Sequence, residues 1–427
     1  MKFKLTTWIF IAMLVGIGVG WMCHNFLPTP ESAKTVAGYI SLFTDVFLRL
    51  IKMIIAPLVF STLVVGIAHM GDTTSIGRIG LKTMGWFVTA SLMSLLLGLV
   101  LVNILRPGDS LNLPLPDASA STNLKTASLS LKEFVTHLVP KSVFEAMANN
   151  EILQIVVFSV FFGAAAASFG DKASVVIDWV EQVSHVMLKI TGYVMALAPI
   201  AVFAAMSSIV TTQGLGILWT YGKFMGEFYL GIVILWALLA VAGFLFLGPR
   251  IARLLGLIRE PILLAFSTAS SEAAYPKTLE QLERFGASKK ITSFVLPLGY
   301  SFNLDGSMMY CTFAVLFIAQ AYSIHLDATQ QITMLLILMV TSKGMAGVPR
   351  ASLVVIAATL ATFNIPEAGL LLIMGIDQFL DMGRSATNVV GNSIATAVVA
   401  KWEGELKPER EAQAELDTDS GVAPARA

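Results

Sequence analysis

The chain has 427 residues, 56% hydrophobic and only 13% charged, with 28 basic residues balanced by 28 acidic ones. Soluble domains carry about 25% charge, so this composition excludes an ordinary water-soluble domain, and the zero net charge leaves no footprint for a nucleic-acid binder. Two cysteines, Cys23 and Cys311, both in apolar surroundings, offer neither a disulfide framework nor a zinc site, and the five histidines form no metal pair at helical spacing.

Charge is absent from residues 5–30, 53–71, 83–105, 152–170, 190–222, 228–249 and 306–326. A bilayer-spanning helix needs about 20 apolar residues, so each interval predicts a crossing or most of one. The first run, Leu5 to Met22, follows Lys2 and Lys4 as a signal peptide would, but it is long and lacks an A-x-A-like site, which predicts a retained transmembrane helix. A loop at Pro28 to Lys34 leads to a long tilted segment, Val36 to Met70, whose Asp45, Arg49 and Lys52 predict a polar face against protein or interface. Arg78 and Lys82 read as a loop before a third helix over 83–105, and 107–149 reads as an external loop with short helical pieces. Further helices are expected over 150–170, 173–210 in one or two pieces, and 224–248. Basic residues cluster at Lys2 and Lys4, Arg78 and Lys82, Arg250 to Arg259, Lys277 to Lys290, and Lys401 to Arg410. The positive-inside rule then puts both termini in the cytoplasm, and the polar tail after Leu406 reads as disordered.

The last 150 residues differ. Charge-free runs shorten to 14–16 residues (291–304, 328–342, 351–366 and 385–400) and are interrupted by Ser, Gly, Asn, Asp and Pro. Broken backbone at membrane depth is tolerated only where it is buried in protein or lines a cavity, so the working site is expected here. A repeat supports this: a serine turn, Ser267 to Pro276, precedes a helix broken near Asn303-Leu304-Asp305-Gly306, and a second turn, Thr341 to Pro349, precedes a helix carrying Asp381, Arg384, Asn388 and Asn392. Each unit reads as a re-entrant hairpin plus a spanning helix, the sequence sign of a transporter site.

Asp377, Asp381, Arg384, Asn388 and Asn392 are spaced to share one helical stripe, with Arg384 near the centre of the segment 368–401. A charge at mid-bilayer costs about 2.5–3.5 kcal/mol even on lenient scales. Either the Asp381–Arg384 pair steadies packing, or the stripe binds a ligand. A guanidinium fits a carboxylate and an aspartate holds an ammonium, which together describe an acidic amino acid, with Asn388 on the main carboxylate. A simple dicarboxylate has no use for Asp381. The segment Gly299 to Ser307 gathers carbonyl, hydroxyl, amide and carboxylate oxygens suited to a hard cation, although Asn303 and Asp305 could equally cap half-helices. Ser270 and Ser271 cap the second arm of their hairpin or, with the same geometry, present amides to a carboxylate. An anion channel lacks a ring of basic residues, and no Ser/His or metal pair at depth suggests an enzyme.

The segments AFSTASSEAAYP (265–276), PLGYSFNLDGS (297–307), TSKGMAGVP (341–349) and DMGRSATNVVGN (381–392) together resemble the dicarboxylate/amino acid:cation symporters, over nearly the whole chain to about Leu406. The likeness is greatest to bacterial proton- or sodium-coupled glutamate/aspartate carriers; the C4-dicarboxylate branch lacks the acidic residue at the Asp381 position. The resemblance implies an all-α polytopic protein of the cytoplasmic (inner) membrane, with eight transmembrane helices and two re-entrant hairpins, assembled as a homotrimer. It implies scaffold helices 1–2 in residues 1–75 and helices 4–5, with the external loop, in 107–222. Helix 3 (76–106) and residues 223–406, which hold helix 6, hairpin 1, helix 7, hairpin 2 and helix 8, would form an elevator-type transport domain with hairpin 2 as the extracellular gate. Residues 407–427 would be a cytoplasmic tail. By resemblance, substrate contacts come from Ser270, Ser271, Ser307, Gly347, Val348, Asp381, Arg384, Ser385 and Asn388. Cation contacts come from Gly299, Ser301, Asn303, Asp305, Ser342, Asn388 and Asn392, with Ser91 completing a site near Asp305. The expected function is symport of glutamate or aspartate with protons, sodium or both, with C4-dicarboxylate symport as the alternative and no cofactor.

Three positions depart from the sodium-coupled pattern. Asn392 stands where an aspartate ligand is usual, Ala90 replaces a threonine ligand, and Cys311 occupies the place of a proton-binding glutamate in mammalian carriers. The first two weaken sodium cages and make proton coupling the more natural expectation. Arg350, after Pro349, reads as a gate charge or as a surface residue.

Overall fold

The structure is a computed structural model that describes residues 5–68, 73–110, 136, 138–215, 221–342, 351–374 and 376–408. Lys2 and Lys4, most of the expected external loop, the tail beyond 408 and the second hairpin's turn, with Gly347, Val348 and Arg350, lie outside the described residues. Among the described residues every regular element is helical apart from one isolated bridge, Ala287 to Leu406.

The amino-terminal helices are α1 (Leu5–Phe26), α2 (Pro30–Ala68) and α3 (Thr73–Leu105). A short α4 (Val143–Ala148) leads to α5 (Ile152–Phe169), and α6 (Ser174–Met195) and α7 (Ala198–Gln213) meet at a bend of 50°. Then follow α8 (Gly222–Leu247), α9 (Arg250–Thr268), α10 (Tyr275–Phe285), α11 (Lys289–Phe302) and α12 (Asp305–Ala321). The chain closes with α13 (Ala328–Thr341), α14 (Ala351–Thr362), a single turn α15 (Leu370–Met374) and α16 (Asp377–Trp402). Six spans are long and apolar enough to cross a membrane, α11 and α12 counting as one, and the bent α6–α7 pair makes seven. The expected eighth, α16, fails on composition because it is rich in Asn, Ser, Thr and Gly. Its residues 382–400 are all buried, so they need not be apolar to avoid lipid.

Two boundaries correct the sequence reading. Arg78 and Lys82 belong to α3 and not to a loop before it. Their charges are matched by Glu403 just past α16, at 2.8 Å from Arg78 Nη2 and 2.6 Å from Lys82 Nζ, and Lys82 also donates to the Trp402 carbonyl at 3.1 Å. Burial pushes the Glu403 carboxyl up, but the hydrogen bonds from Arg78 and Lys82 outweigh it and hold the group below the usual glutamate range. Nearby, the Ser288 amide donates to the Glu405 carbonyl at 3.0 Å and the Lys407 amide to the Gly286 carbonyl at 2.9 Å. The segment after α16 thus clasps α3 and the loop after α10. Secondly, α16 begins at Asp377, so Arg384 lies two turns from its start and not at its centre.

Packing explains where the site forms. Helix α2 packs against α5, α6 and α7, and α1 lies along α7; α3, α8, α9, α11 and α12 pack around or beside α16. At the α1–α7 crossing, a Cβ on Gly16 or Gly20 would come within 2.6 Å of the Phe203 or Ser207 carbonyl oxygen, the close approach that small residues permit. The two groups meet where α2 and α5 touch α11 and where α7 touches α9.

Candidate functional site: a charged cavity at two broken helical units

The first hairpin consists of α9 and α10, joined by a tip at residues 269–274. Ala269 ends α9 in the left-handed region (φ 49°), and Pro276 occupies the first turn of α10, where its missing N–H costs nothing. The Ser270 hydroxyl accepts from the Ala273 amide at 3.3 Å, so this serine caps the turn at the tip. The broken span behaves as its sequence suggests: α11 stops at Phe302, Asn303 and Leu304 leave helical geometry (ψ 60° and 64°), and α12 restarts at Asp305. The second unit has arms α13, opened by a capping box of Asp327 and Gln330, and α14.

Helix α16 lies against this break. A Cβ on Gly306 would come within 2.5 Å of the Arg384 carbonyl oxygen, so only glycine allows α12 to approach so closely. The Gly306 amide donates to Asn388 Oδ1 at 3.0 Å, and Asn388 Nδ2 donates to the Ser307 hydroxyl at 3.3 Å. Arg384, 1% exposed, is held by Asp377 at 3.2 Å and Asp381 at 2.9 Å and lies over the Tyr310 ring, 4.1 Å from its centroid. Tyr310 donates to Asp377 at 3.1 Å, which fixes that carboxylate on the guanidinium. Arg384 Nη1 is left buried without a hydrogen-bond partner among the described residues. A buried guanidinium nitrogen without an acceptor is costly, and a ligand carboxylate would satisfy it. Asp381, by contrast, has a side chain 28% exposed.

A cavity of about 460 Å³ opens at this point. Ser270 and Ser271 of the hairpin tip, Ser307 of α12, and Asp381, Arg384, Ser385 and Asn388 of α16 all line it, as do Glu272, Tyr300 and Gln378. Its opposite wall comes from Ser41, Thr44, Asp45, Leu48 and Lys52 of α2 and Ala205, Ser208 and Ile209 of α7. Sequence reasoning noted the charges of α2 but did not bring them to the site; a lysine and an aspartate seven apart on one helix face were the available signal.

The expected cation residues gather deeper, behind the break. Asn303 Nδ2 donates to Asp305 Oδ2 at 3.1 Å and to Asn392 Oδ1 at 3.2 Å, and Asp305 is fully buried. Asn303 Oδ1 and Ser301 Oγ are buried without partners among the described residues, which leaves oxygen ligands available to a hard cation. Gly299 and Gly391 make room for the cluster, since a Cβ on either would fall on the Asn392 or Asp305 side chain. Ser94, which sequence reading missed, donates to the Ala90 carbonyl at 2.8 Å and has its hydroxyl 3.3 Å from Asp305 Oδ1, whereas Ser91 is directed at the Phe302 carbonyl at 3.4 Å. Ser342, at the end of α13, is buried and donates to the Met339 carbonyl at 3.4 Å. Cys311 is buried in α12.

Residues 5–402 match the model of the sodium:dicarboxylate symporter family. The chain belongs to that family. It is 41% identical to a C4-dicarboxylate transport protein of Paracidovorax citrulli over 99% of this chain and 93% of the relative. It is 39% identical to a proton/sodium-glutamate symport protein of Bacillus subtilis over 95% of this chain and 94% of the relative. A proton/sodium-glutamate symport protein of Bacillus caldotenax is 40% identical over 96% of this chain and 97% of the relative. As a member of the sodium:dicarboxylate symporter family, the chain is a multi-pass, all-α membrane protein, and the family's business is transport.

Proposed function

We propose that this chain is a secondary active symporter for acidic amino acids, glutamate or aspartate, driven by protons, sodium or both, and that it catalyses no chemical conversion. One observation carries the reading: a buried guanidinium with an unused nitrogen, Arg384, and an accessible carboxylate, Asp381, open on the same cavity. Asp377 neutralises Arg384 from behind, so a ligand must answer Asp381 as well as Arg384. Glutamate or aspartate does so: its side-chain carboxylate meets Arg384, its ammonium meets Asp381, and its main carboxylate meets neutral donors at Asn388 and the serine tip, with Ser307 and Ser385 alongside. A dicarboxylate would set a second negative charge near Asp381 and bring no ammonium group to answer that carboxylate. The names of the Bacillus relatives support the amino-acid reading, and that of the Paracidovorax relative keeps C4-dicarboxylates as the alternative. In the second hairpin, Gly347 and Val348 complete the substrate contacts by resemblance.

The coupling cation is assigned to Gly299, Ser301, Asn303, Asp305, Asn388 and Asn392, with Ser342 and Ser91. The geometry adds Ser94. One carboxylate, Asp305, serves this cage, and Asn392 brings no second one, which favours proton use over a pair of sodium ions. Filling cage and substrate site together leaves no buried charge unpaired, so closure of the gate is favoured only when both are occupied.

The helix packing supports a scaffold of residues 1–75 and 107–222 and a transport domain of 76–106 and 223–406, and the resemblance implies that this domain moves as an elevator within a homotrimer. The distribution of basic residues supports both termini inside and hence an even number of crossings, which the resemblance puts at eight, in the cytoplasmic membrane. Uptake of labelled aspartate, glutamate and succinate into proteoliposomes, with proton and sodium gradients imposed separately, tests the reading. Preference for succinate overturns the role of Asp381, and uptake driven by sodium alone overturns the proton assignment.

A further inference from the structure

The cavity wall facing Arg384 carries a charge pair of its own. Asp45 and Lys52 of α2 both line the cavity, and seven residues of helix set them about 10 Å apart along one face. Lys52 is exposed and makes no ion pair with a described residue. It stands at the start of the charge-free stretch 53–68 of α2, at the edge of the part that crosses the membrane, where an ammonium group is normally found facing water or a charged partner. The cavity supplies the water. Its volume of about 460 Å³ also exceeds what a single substrate fills. The ten non-hydrogen atoms of glutamate, each given no more than the ~30 Å³ share of a water molecule, need less than about 300 Å³.

We propose that Lys52 is an outer docking position, which receives a carboxylate of the incoming substrate before that carboxylate passes to Arg384. Lys52 and Arg384 are the basic side chains that line the cavity, against Asp45, Glu272 and Asp381, so a carboxylate entering it is received at one of these two cations and an ammonium group at the acidic positions between them. Arg384 is neutralised by Asp377 and Asp381, so it attracts an anion only at short range. Lys52, which has no ion pair with a described residue, offers its charge to an arriving carboxylate directly. Asp45, on the same wall, favours an anion that also carries an ammonium group. This inference rests on the reading of the substrate as an acidic amino acid.

The test is the initial rate of labelled aspartate uptake against concentration, at low and high levels of an inert salt such as choline chloride. Lys52→Gln is expected to raise KM about three- to tenfold at low ionic strength and to leave Vmax within about twofold. The difference should close as the screening length falls from about 30 Å at 0.01 M to about 3 Å at 1 M. Lys52→Arg should restore the wild-type KM. The wild-type protein provides a second measurement that needs no variant, since its own KM should rise with inert salt. A salt-independent wild-type KM, or a Lys52→Gln defect confined to Vmax, overturns the proposal while aspartate transport stands. Absence of saturable uptake of any acidic substrate by the wild-type protein overturns the functional reading, and this inference with it.

Discussion

Replacing Asp381 with asparagine separates the two substrate classes with one atom's change. The variant keeps the size of the side chain and removes its charge. Arg384 should stay in place, because Asp377 still pairs with it at 3.2 Å and the Tyr310 ring still lies 4.1 Å beneath it. The fold should hold too, since the Asp381 side chain is 28% exposed and leaves no buried charge behind. What is lost is the charged partner of the substrate's ammonium. Hydrogen bonds to charged groups contribute about 1.5–3 kcal/mol, and 1.4 kcal/mol is tenfold in affinity, so aspartate and glutamate should bind roughly 10- to 150-fold more weakly. Succinate has no ammonium and meets a less repulsive wall, so its uptake should be unchanged or improved. Competition between labelled aspartate and unlabelled succinate in proteoliposomes reads both effects at once. Equal losses for the two substrates would mean that Asp381 only positions Arg384, and the assignment to the amino group would fall.

Removing Arg384 is expected to act on stability as well as transport. Arg384→Ala leaves Asp377, 1% exposed, without its partner, and breaking a buried pair in this way costs about 3–5 kcal/mol. Thermal unfolding followed by size exclusion should show that loss, and the double variant Asp377→Asn/Arg384→Ala should regain much of the stability without regaining transport. Gly306→Ala would drive a methyl group to within 2.5 Å of the Arg384 carbonyl, and overpacking of this kind costs about 1–3 kcal/mol. Wild-type substrate affinity in that variant would refute the close-approach argument. At the clasp, Glu403 has its pKa lowered in the fold, so it stabilises above the ordinary glutamate range, and that contribution fades as pH falls through the lowered value. Glu403→Gln should therefore unfold at a lower temperature than wild type at neutral pH, with the gap shrinking in acid; a gap that persists at all pH values would refute the ionic account.

Much of the candidate site was legible because its chemistry conflicts with its setting. Asp381 and Arg384 at helical spacing in an apolar chain, and Asn303 and Asp305 in a short charge-free stretch, could only be buried or functional, and the break falls at Asn303–Leu304 as expected. The polar side chains of α16 from Arg384 to Asn392 share a helix as their period requires. The failures are those of charge used as a boundary marker. Arg78 and Lys82 looked like a loop, yet Glu403, more than 300 residues later, balances them within α3. The segment 368–401 looked continuous, yet it divides before Asp377, which moved Arg384 away from the middle. Ser91 and Ser94 stand one turn apart on α3, and no periodicity tells that Ser94 comes within 3.3 Å of Asp305; the register of α3 on α12 sets that distance. Tyr310 beneath Arg384 and the α2 wall of the cavity are likewise products of tertiary packing.

The contact between Gly306 and the Arg384 carbonyl has a consequence for how such a protein can diverge. Backbones pressed together at a glycine cannot slide to suit a new cargo, so inheritance can remodel the pocket only by exchanging side chains along a fixed seam. A lineage could then trade one acidic solute for another through a single codon at position 381, with the anion-holding arginine carried forward unchanged.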